Sequence, residues 1–183
     1  MTNNVKLKTK NLKTPRGFSL IETLVAVLLL ATAITGPLTI ASKSFLVATV
    51  AKDQVTAFYL AQDAVEYVRF ARDSNKLSGS DWLSGSVVDL DNCVSTNGCY
   101  FDSLDPETPP VACQSSGCKT MTHNSATHSY DYFTADGTPP FFVRTVKIVD
   151  AVHEATLTVQ VSWKGSGNIT RSVKVTEQLF DWQ

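Results

Sequence analysis

Residues 18–41 read FSLIETLVAVLLLATAITGPLTIA: 24 positions, twelve of them Leu, Ile, Val or Phe, with a single charge, Glu22. As a helix the run is about 36 Å long, enough to cross a bilayer. The twelve large apolar residues favour insertion by roughly 4 to 7 kcal/mol, whereas Glu22 costs about 3 kcal/mol at the membrane centre and less near the end where it sits. Insertion wins, so the fold begins with a membrane-spanning helix that carries one carboxylate.

The flanks differ in charge. Residues 1–17 hold Lys6, Lys8, Lys10, Lys13 and Arg16 and no acid; the other eleven basic residues and all seventeen acidic ones follow. A +5 stub therefore precedes a −6 remainder. A basic stub before an apolar run stays cytoplasmic while the run enters the membrane. It reads as an orientation signal, not a nucleic-acid arm, and the acidic remainder carries no electrostatic footprint for nucleic acid. An ionisable residue in a membrane helix needs a partner. A cut between Gly17 and Phe18 would create an α-amine one helical turn before Glu22, and a first-turn carboxylate also suits the positive end of the helix dipole.

The string Arg16-Gly17-Phe18-Ser19-Leu20-Ile21-Glu22-Thr23-Leu24-Val25 resembles the cleavage and methylation motif of type IV prepilins and type II secretion pseudopilins. The resemblance implies that prepilin peptidase cuts after Gly17 and that the new terminal Phe18 is N-methylated. It also implies that Glu22 neutralises the terminal amine of a neighbouring subunit during assembly. The implied partners are prepilin peptidase, other pilin subunits in a filament, an assembly platform in the cytoplasmic membrane, and membrane lipid before assembly. No cofactor is implied. The implied location is the cytoplasmic membrane, single-pass with a cytoplasmic N-terminus, and then an extracellular or periplasmic filament. Two plainer readings compete. In a secretory signal peptide, Ala31-Thr32-Ala33 would be the cleavage site, but Glu22 interrupts the apolar region and the apolar pattern continues past the site. A plain single-pass anchor explains the span but not Gly-Phe followed by Glu at that spacing.

The domain organisation follows: leader 1–17, membrane and assembly helix 18–41, amphipathic helix 42–73, loop-rich cross-linked region 74–140, and sheet 141–183. Pro37 predicts a kink or local melting. Beyond it Ala51, Val55, Phe58, Ala61, Val65 and Val68 recur at helical spacing and predict one buried face, flanked by Lys52, Asp53, Asp63, Glu66 and Arg69. Asp73-Ser74-Asn75 reads as the helix stop. Residues 74–140 are rich in turn signals, such as Asn97-Gly98 and Pro139-Pro140, with Val87-Val88 and Tyr100-Phe101 as candidate short strands. Cys93, Cys99, Cys113 and Cys118 fall in this region. In an oxidising compartment they predict two disulfides, and spacing favours Cys93–Cys99 and Cys113–Cys118 without deciding among the three connectivities. Zinc is the rival, with His123 and His128 nearby, but neither pair has Cys-x₂-Cys spacing. Asp89, Asp91 and Asn92, or Asp131 and Asp136, offer hard ligands for calcium without an EF-hand pattern.

Strand periodicity is clear at the C-terminus. Ala155, Leu157, Val159, Val161 and Trp163 alternate with polar residues; Gly165-Ser166-Gly167 turns the chain; Ile169, Val173 and Val175 alternate next; Phe142 to Val149 supplies a third strand. These form an antiparallel meander whose apolar face is covered by the amphipathic helix, with Trp82 and Trp182 filling seams. The fold class is α+β and pilin-like: a long N-terminal helix packed on a small antiparallel sheet. No nucleophile–base motif, phosphate loop or metal-ligand spacing stands out, and His153-Glu154 lacks the second His of a zinc protease. The chain reads as a structural subunit and not an enzyme. The alternative is a membrane-anchored module that binds an extracytoplasmic ligand through 74–140.

Overall fold

The computed structural model describes residues 17–105, 108–132, 138–151, 153–165 and 168–181. The leader residues 1–16, the tip of the turn at Ser166-Gly167, the Asp136 calcium candidate and Trp182 lie outside the described residues. The architecture is α+β and pilin-like. Helix α1 spans Leu20–Leu77, and seven strands form one sheet. The chain divides into two compact units between Leu46 and Val47.

In the first unit every described residue is exposed. Helicity continues through Pro37, so the expected local melting is absent. Proline removes one donor, the one that would serve the Ala33 carbonyl, while the turns on either side keep theirs. The hydroxyls are satisfied within the helix. Thr32 Oγ1 donates to the Leu28 and Leu29 carbonyls at 3.1 and 3.0 Å, and Thr39 Oγ1 to Gly36 at 2.7 Å. Thr23, Thr35, Ser42 and Ser44 likewise donate three or four residues back. Hydroxyls that bond back to their own helix are compatible with lipid, and proline is tolerated in such helices.

In the second unit α1 buries Asp53, Ala57, Ala61, Ala64, Val65, Tyr67, Val68, Ala71 and Asn75, so Asp53, expected on the wet flank, is buried instead. Ala61, Val65 and Val68 were expected there, but Ala51 is exposed, as are Val55 and Phe58. The buried stripe is rotated onto the alanines at 57, 61, 64 and 71. Small side chains there let the large inward residues of the sheet pack against the helix at interior density.

The central strands form the expected meander: β5 (Thr138–Ala151), β6 (Glu154–Lys164) and β7 (Thr170–Phe180) are consecutive and antiparallel. Strand β6 alternates without a break, burying Ala155, Leu157, Val159, Val161 and Trp163. Ile169, expected on that face, precedes β7 and is 57% exposed; the inner row of β7 is Val173, Val175, Glu177 and Leu179.

The region expected to be loop-rich adds four short strands: β1 (Cys99–Tyr100), β2 (Val111–Ala112), β3 (Thr120–Asn124) and β4 (Ser129–Asp131). Two of them share the second edge of β5. Strand β1 pairs at Val146, and β3 pairs at Phe142 and Val143. The Cys93–Cys99 disulfide ties the short helix α2 (Asp91–Val94) to β1, and Cys113–Cys118 closes the turn between β2 and β3. Both pairings are local, with Cα atoms 4.5 Å apart. Each loop closure is worth about 2 kcal/mol on the chain-entropy model. Strands of two residues have little pairing of their own, so the covalent clips help to hold β1 against β5 and β2 against β1.

Candidate processing and assembly site

The backbone around Gly17 and Phe18 is not helical; α1 begins at Leu20. Ser19 sets that boundary. Its Oγ accepts the Glu22 N–H at 3.3 Å and its carbonyl accepts the Thr23 N–H at 3.2 Å, the pattern of an N-cap. Ser19-Leu20-Ile21-Glu22 has the Ser-x-x-Glu spacing of a capping box, the signal by which this boundary could have been read from sequence. The cap leaves the Gly17–Phe18 bond outside the helix. Phe18 is 79% exposed. A Cβ at Gly17 would meet nothing within 4 Å, so the fold makes no demand for glycine there. Glu22 lies in the first turn of α1 and is exposed, where the unpaired amides and the dipole of the helix favour a carboxylate. Gly17, Phe18 and Glu22 thus gather at one helix end. The four cysteines lie elsewhere, in the second unit.

The second unit is organised by two buried polar residues that sequence reasoning passed over. Arg144, on β5, is fully buried. Its Nη1 donates to Asp63 Oδ2 at 2.7 Å and to the Leu60 carbonyl at 3.1 Å, both on α1; its Nη2 donates to the Phe101 carbonyl at 2.7 Å. The guanidinium also lies 5.2 Å from the Phe101 ring centre, and that ring stacks on Tyr67 at 4.1 Å. Strand parity carried the signal: Arg144 falls in phase with Phe142, Val146 and Ile148, all buried. Asn75, also fully buried, holds residues 82–88. Its Oδ1 accepts the Val88 and Val87 amides at 3.0 and 3.2 Å, and its Nδ2 donates to the Val88 carbonyl at 2.7 Å.

Burial pushes the Tyr132 phenol above its ordinary range, with the Arg144 guanidinium working the other way; burial and then Asp105 raise Tyr67. The backbone amides of Ser84 and Leu83 hold the Asp81 carboxyl below its usual value. All four cysteines are oxidised, so none is a thiolate ligand, and His123 and His128 face each other on the β3–β4 hairpin with ring centres 6.5 Å apart. Among the described residues, no group of three or more His, Cys, Asp or Glu side chains is placed to hold a metal ion.

Residues 12–36 match the family model for the prokaryotic N-terminal methylation motif. That span includes Gly17, Phe18 and Glu22. No curated protein and no solved structure matches the chain significantly. Helix α1 contains a segment long and apolar enough to cross a membrane, and with the motif this supports membrane anchoring. The motif points to a structural subunit and not to an enzyme: the chain carries the signature of type IV prepilin- and pseudopilin-like proteins.

Proposed function

We propose that the chain is a type IV pilin-like subunit that is cut by prepilin peptidase between Gly17 and Phe18 and assembled into an extracytoplasmic filament or pseudopilus. The observation that carries this is the methylation motif at 12–36, laid over a non-helical Gly17–Phe18 bond and a capped apolar helix. The basic leader stays cytoplasmic and the apolar segment holds the precursor in the membrane. Cleavage frees the Phe18 amine, which is then methylated. The helix leaves lipid and buries its apolar surface among the helices of other subunits. That exchange trades one apolar solvent for another and carries no large hydrophobic penalty. A carboxylate left unpaired in such a bundle is costly, so pairing Glu22 with a neighbour's terminal amine fixes axial register.

The test is the N-terminus of the membrane-extracted protein, by sequencing and intact mass, with and without prepilin peptidase. A start at methylated Phe18 only when the peptidase is present is the expected result. An intact leader beside active peptidase, or a start at Ile34, overturns the proposal. Glu22→Ala is expected to be processed normally yet to be depleted at least tenfold from sheared filaments; normal incorporation would remove the register role.

A further inference from the structure

The second unit is acidic, with ten basic and sixteen acidic side chains over residues 47–183, but its charge is unevenly placed. The face of β5–β6–β7 turned away from the core carries Lys147, Lys164 and Lys174. Its other residues from 141–149, 154–164 and 170–178 are hydroxyl, amide or apolar except Glu154, its one carboxylate, at the far end of β6; Lys147 also donates to the Thr96 carbonyl at 3.0 Å. At one end of this face is a trough of about 250 Å³ with Phe141 and Val143 on one side and Ser162, Lys164 and Thr170 on the other. Its lining is mainly apolar and carries one cation, Lys164.

A complementary shape lies on the same chain, in residues 81–91. Asp81, Asp89 and Asp91 are all exposed and converge on Ser84. The Ser84 amide donates to Asp81 Oδ1 at 2.9 Å, its Oγ donates to Asp91, and its backbone bridges to Asp89. Beside them Val87 is 52% exposed, while Val88 is buried. The Asn75 side chain grips both amides from below, so the loop presents its apolar tip already ordered. An ordered loop loses little freedom on docking.

We propose that the 81–91 loop of one copy docks on the open sheet face of a second copy, with Val87 in the Phe141–Val143 trough and the three aspartates toward the lysines. Charge complementarity selects this occupant: the face is basic on an otherwise acidic unit, and the loop combines three carboxylates with one exposed valine. Opposed charges set register and steer encounter. The two patches differ, so the contact is head-to-tail, and a head-to-tail contact that does not close a ring propagates as a filament. The inference rests on the filament reading above and names a contact between the second units of neighbouring copies within it.

The experiment uses the full chain in cells with prepilin peptidase and an assembly system. Filaments of a Val87→Cys/Ser162→Cys variant are sheared, oxidised and run without reductant, and the N-terminus is read on the same sample. A ladder of covalent multimers is expected, at least tenfold above either single variant and above a Val87→Cys/Gln178→Cys control at the far end of the face. Chains that start at Phe18 and enter filaments yet stay monomeric overturn this contact and leave the filament reading intact. Wild-type chains that never enter filaments overturn both. Independently, Lys164→Glu is expected to lower incorporation about tenfold, the equivalent of 1.4 kcal/mol, and Asp89→Lys in the same chain to restore it. Failure of that rescue also counts against the contact.

Discussion

Leu24 and Leu157 are the same side chain in two environments. Leu24, in the first unit, is 65% exposed; Leu157, in the second, is fully buried. The contrast holds along the chain. From 20 to 46 the apolar residues face outward on every side, and from 57 onward α1 hides a narrow stripe of alanines under a sheet. Burying a leucine is worth about 1.5–3 kcal/mol. The second unit gains that from its own strands. The first unit buries none of its leucines within the chain, and on the function proposed above it gains that from lipid or from the helices of other subunits. Variants should therefore separate: those in the second unit change folding and leave processing alone, and those near residue 17 do the reverse.

The largest effect is expected at Arg144. Arg144→Ala removes a fully buried side chain, opens a cavity and takes away the donor to the Phe101 carbonyl, while Asp63, 45% exposed on its side chain, keeps water and the Ser103 hydroxyl. A loss of about 2–5 kcal/mol follows from the cavity and the lost hydrogen bonds. Arg144→Met keeps most of the volume and should lose less. Tryptophan fluorescence of the solubilised chain on heating reads the change, and N-terminal sequencing should still find Phe18. If Arg144→Ala blocked processing without lowering the melting temperature, the separation of the two units would be wrong.

The glycines sharpen the same contrast. Gly98 has a φ of +73°, and a Cβ there would lie 2.5 Å from the Val146 carbonyl oxygen. Gly98→Ala is expected to cost about 2–3 kcal/mol, because left-handed strain and a backbone clash act together. Gly17 meets nothing, so Gly17→Leu should leave melting unchanged and abolish cleavage. A melting shift in the Gly17 variant, or none in the Gly98 variant, would reverse the assignment. The Cys93→Ser/Cys99→Ser pair should cost about 2 kcal/mol, again without effect on the leader.

What the sequence disclosed follows the same boundary. The first unit was legible because its information is local: one apolar run, one Gly-Phe bond and one Glu at fixed spacing. The alternation of β6 was equally local, and Ala155 to Trp163 fell on the expected face. The register of α1 was not local. Both Val55-Phe58 and the alanine stripe have helical spacing, and only the approach distance of the sheet selects the alanines. Of the strands in 74–140, β1 overlaps the expected Tyr100-Phe101 piece at Tyr100, whereas Val87-Val88 is no strand and β2, β3 and β4, of two to five residues, carry too little period to read. Ser19 and Arg144 were readable in principle, one as a cap motif and the other as a charge in phase with a buried row. A polar residue in an apolar row points to a partner that spacing alone does not name.

The smallest expected effect is a pH dependence, confined to the second unit. Burial raises the Tyr132 phenol above its unfolded value of 10.0. A raised folded value means that the native state holds its proton more tightly than the unfolded chain. The associated stability is complete below the unfolded value and is lost as pH rises through the folded one. Between those two values the unfolded chain ionises and the native one does not, so the melting temperature should fall as pH rises above about 10. Tyr67, raised for the same first cause, adds to the slope. Tyr132→Phe removes one of the three raised phenols, Tyr67, Tyr130 and Tyr132, and should flatten the alkaline limb while leaving its shape below pH 9 unchanged. The helix of the first unit has no tyrosine, so its helicity, followed by far-ultraviolet circular dichroism in detergent, should persist through the range where the second unit melts. Simultaneous loss of both signals, or an alkaline limb unchanged in Tyr132→Phe, would show that the proton linkage does not reside in the buried core beside Arg144.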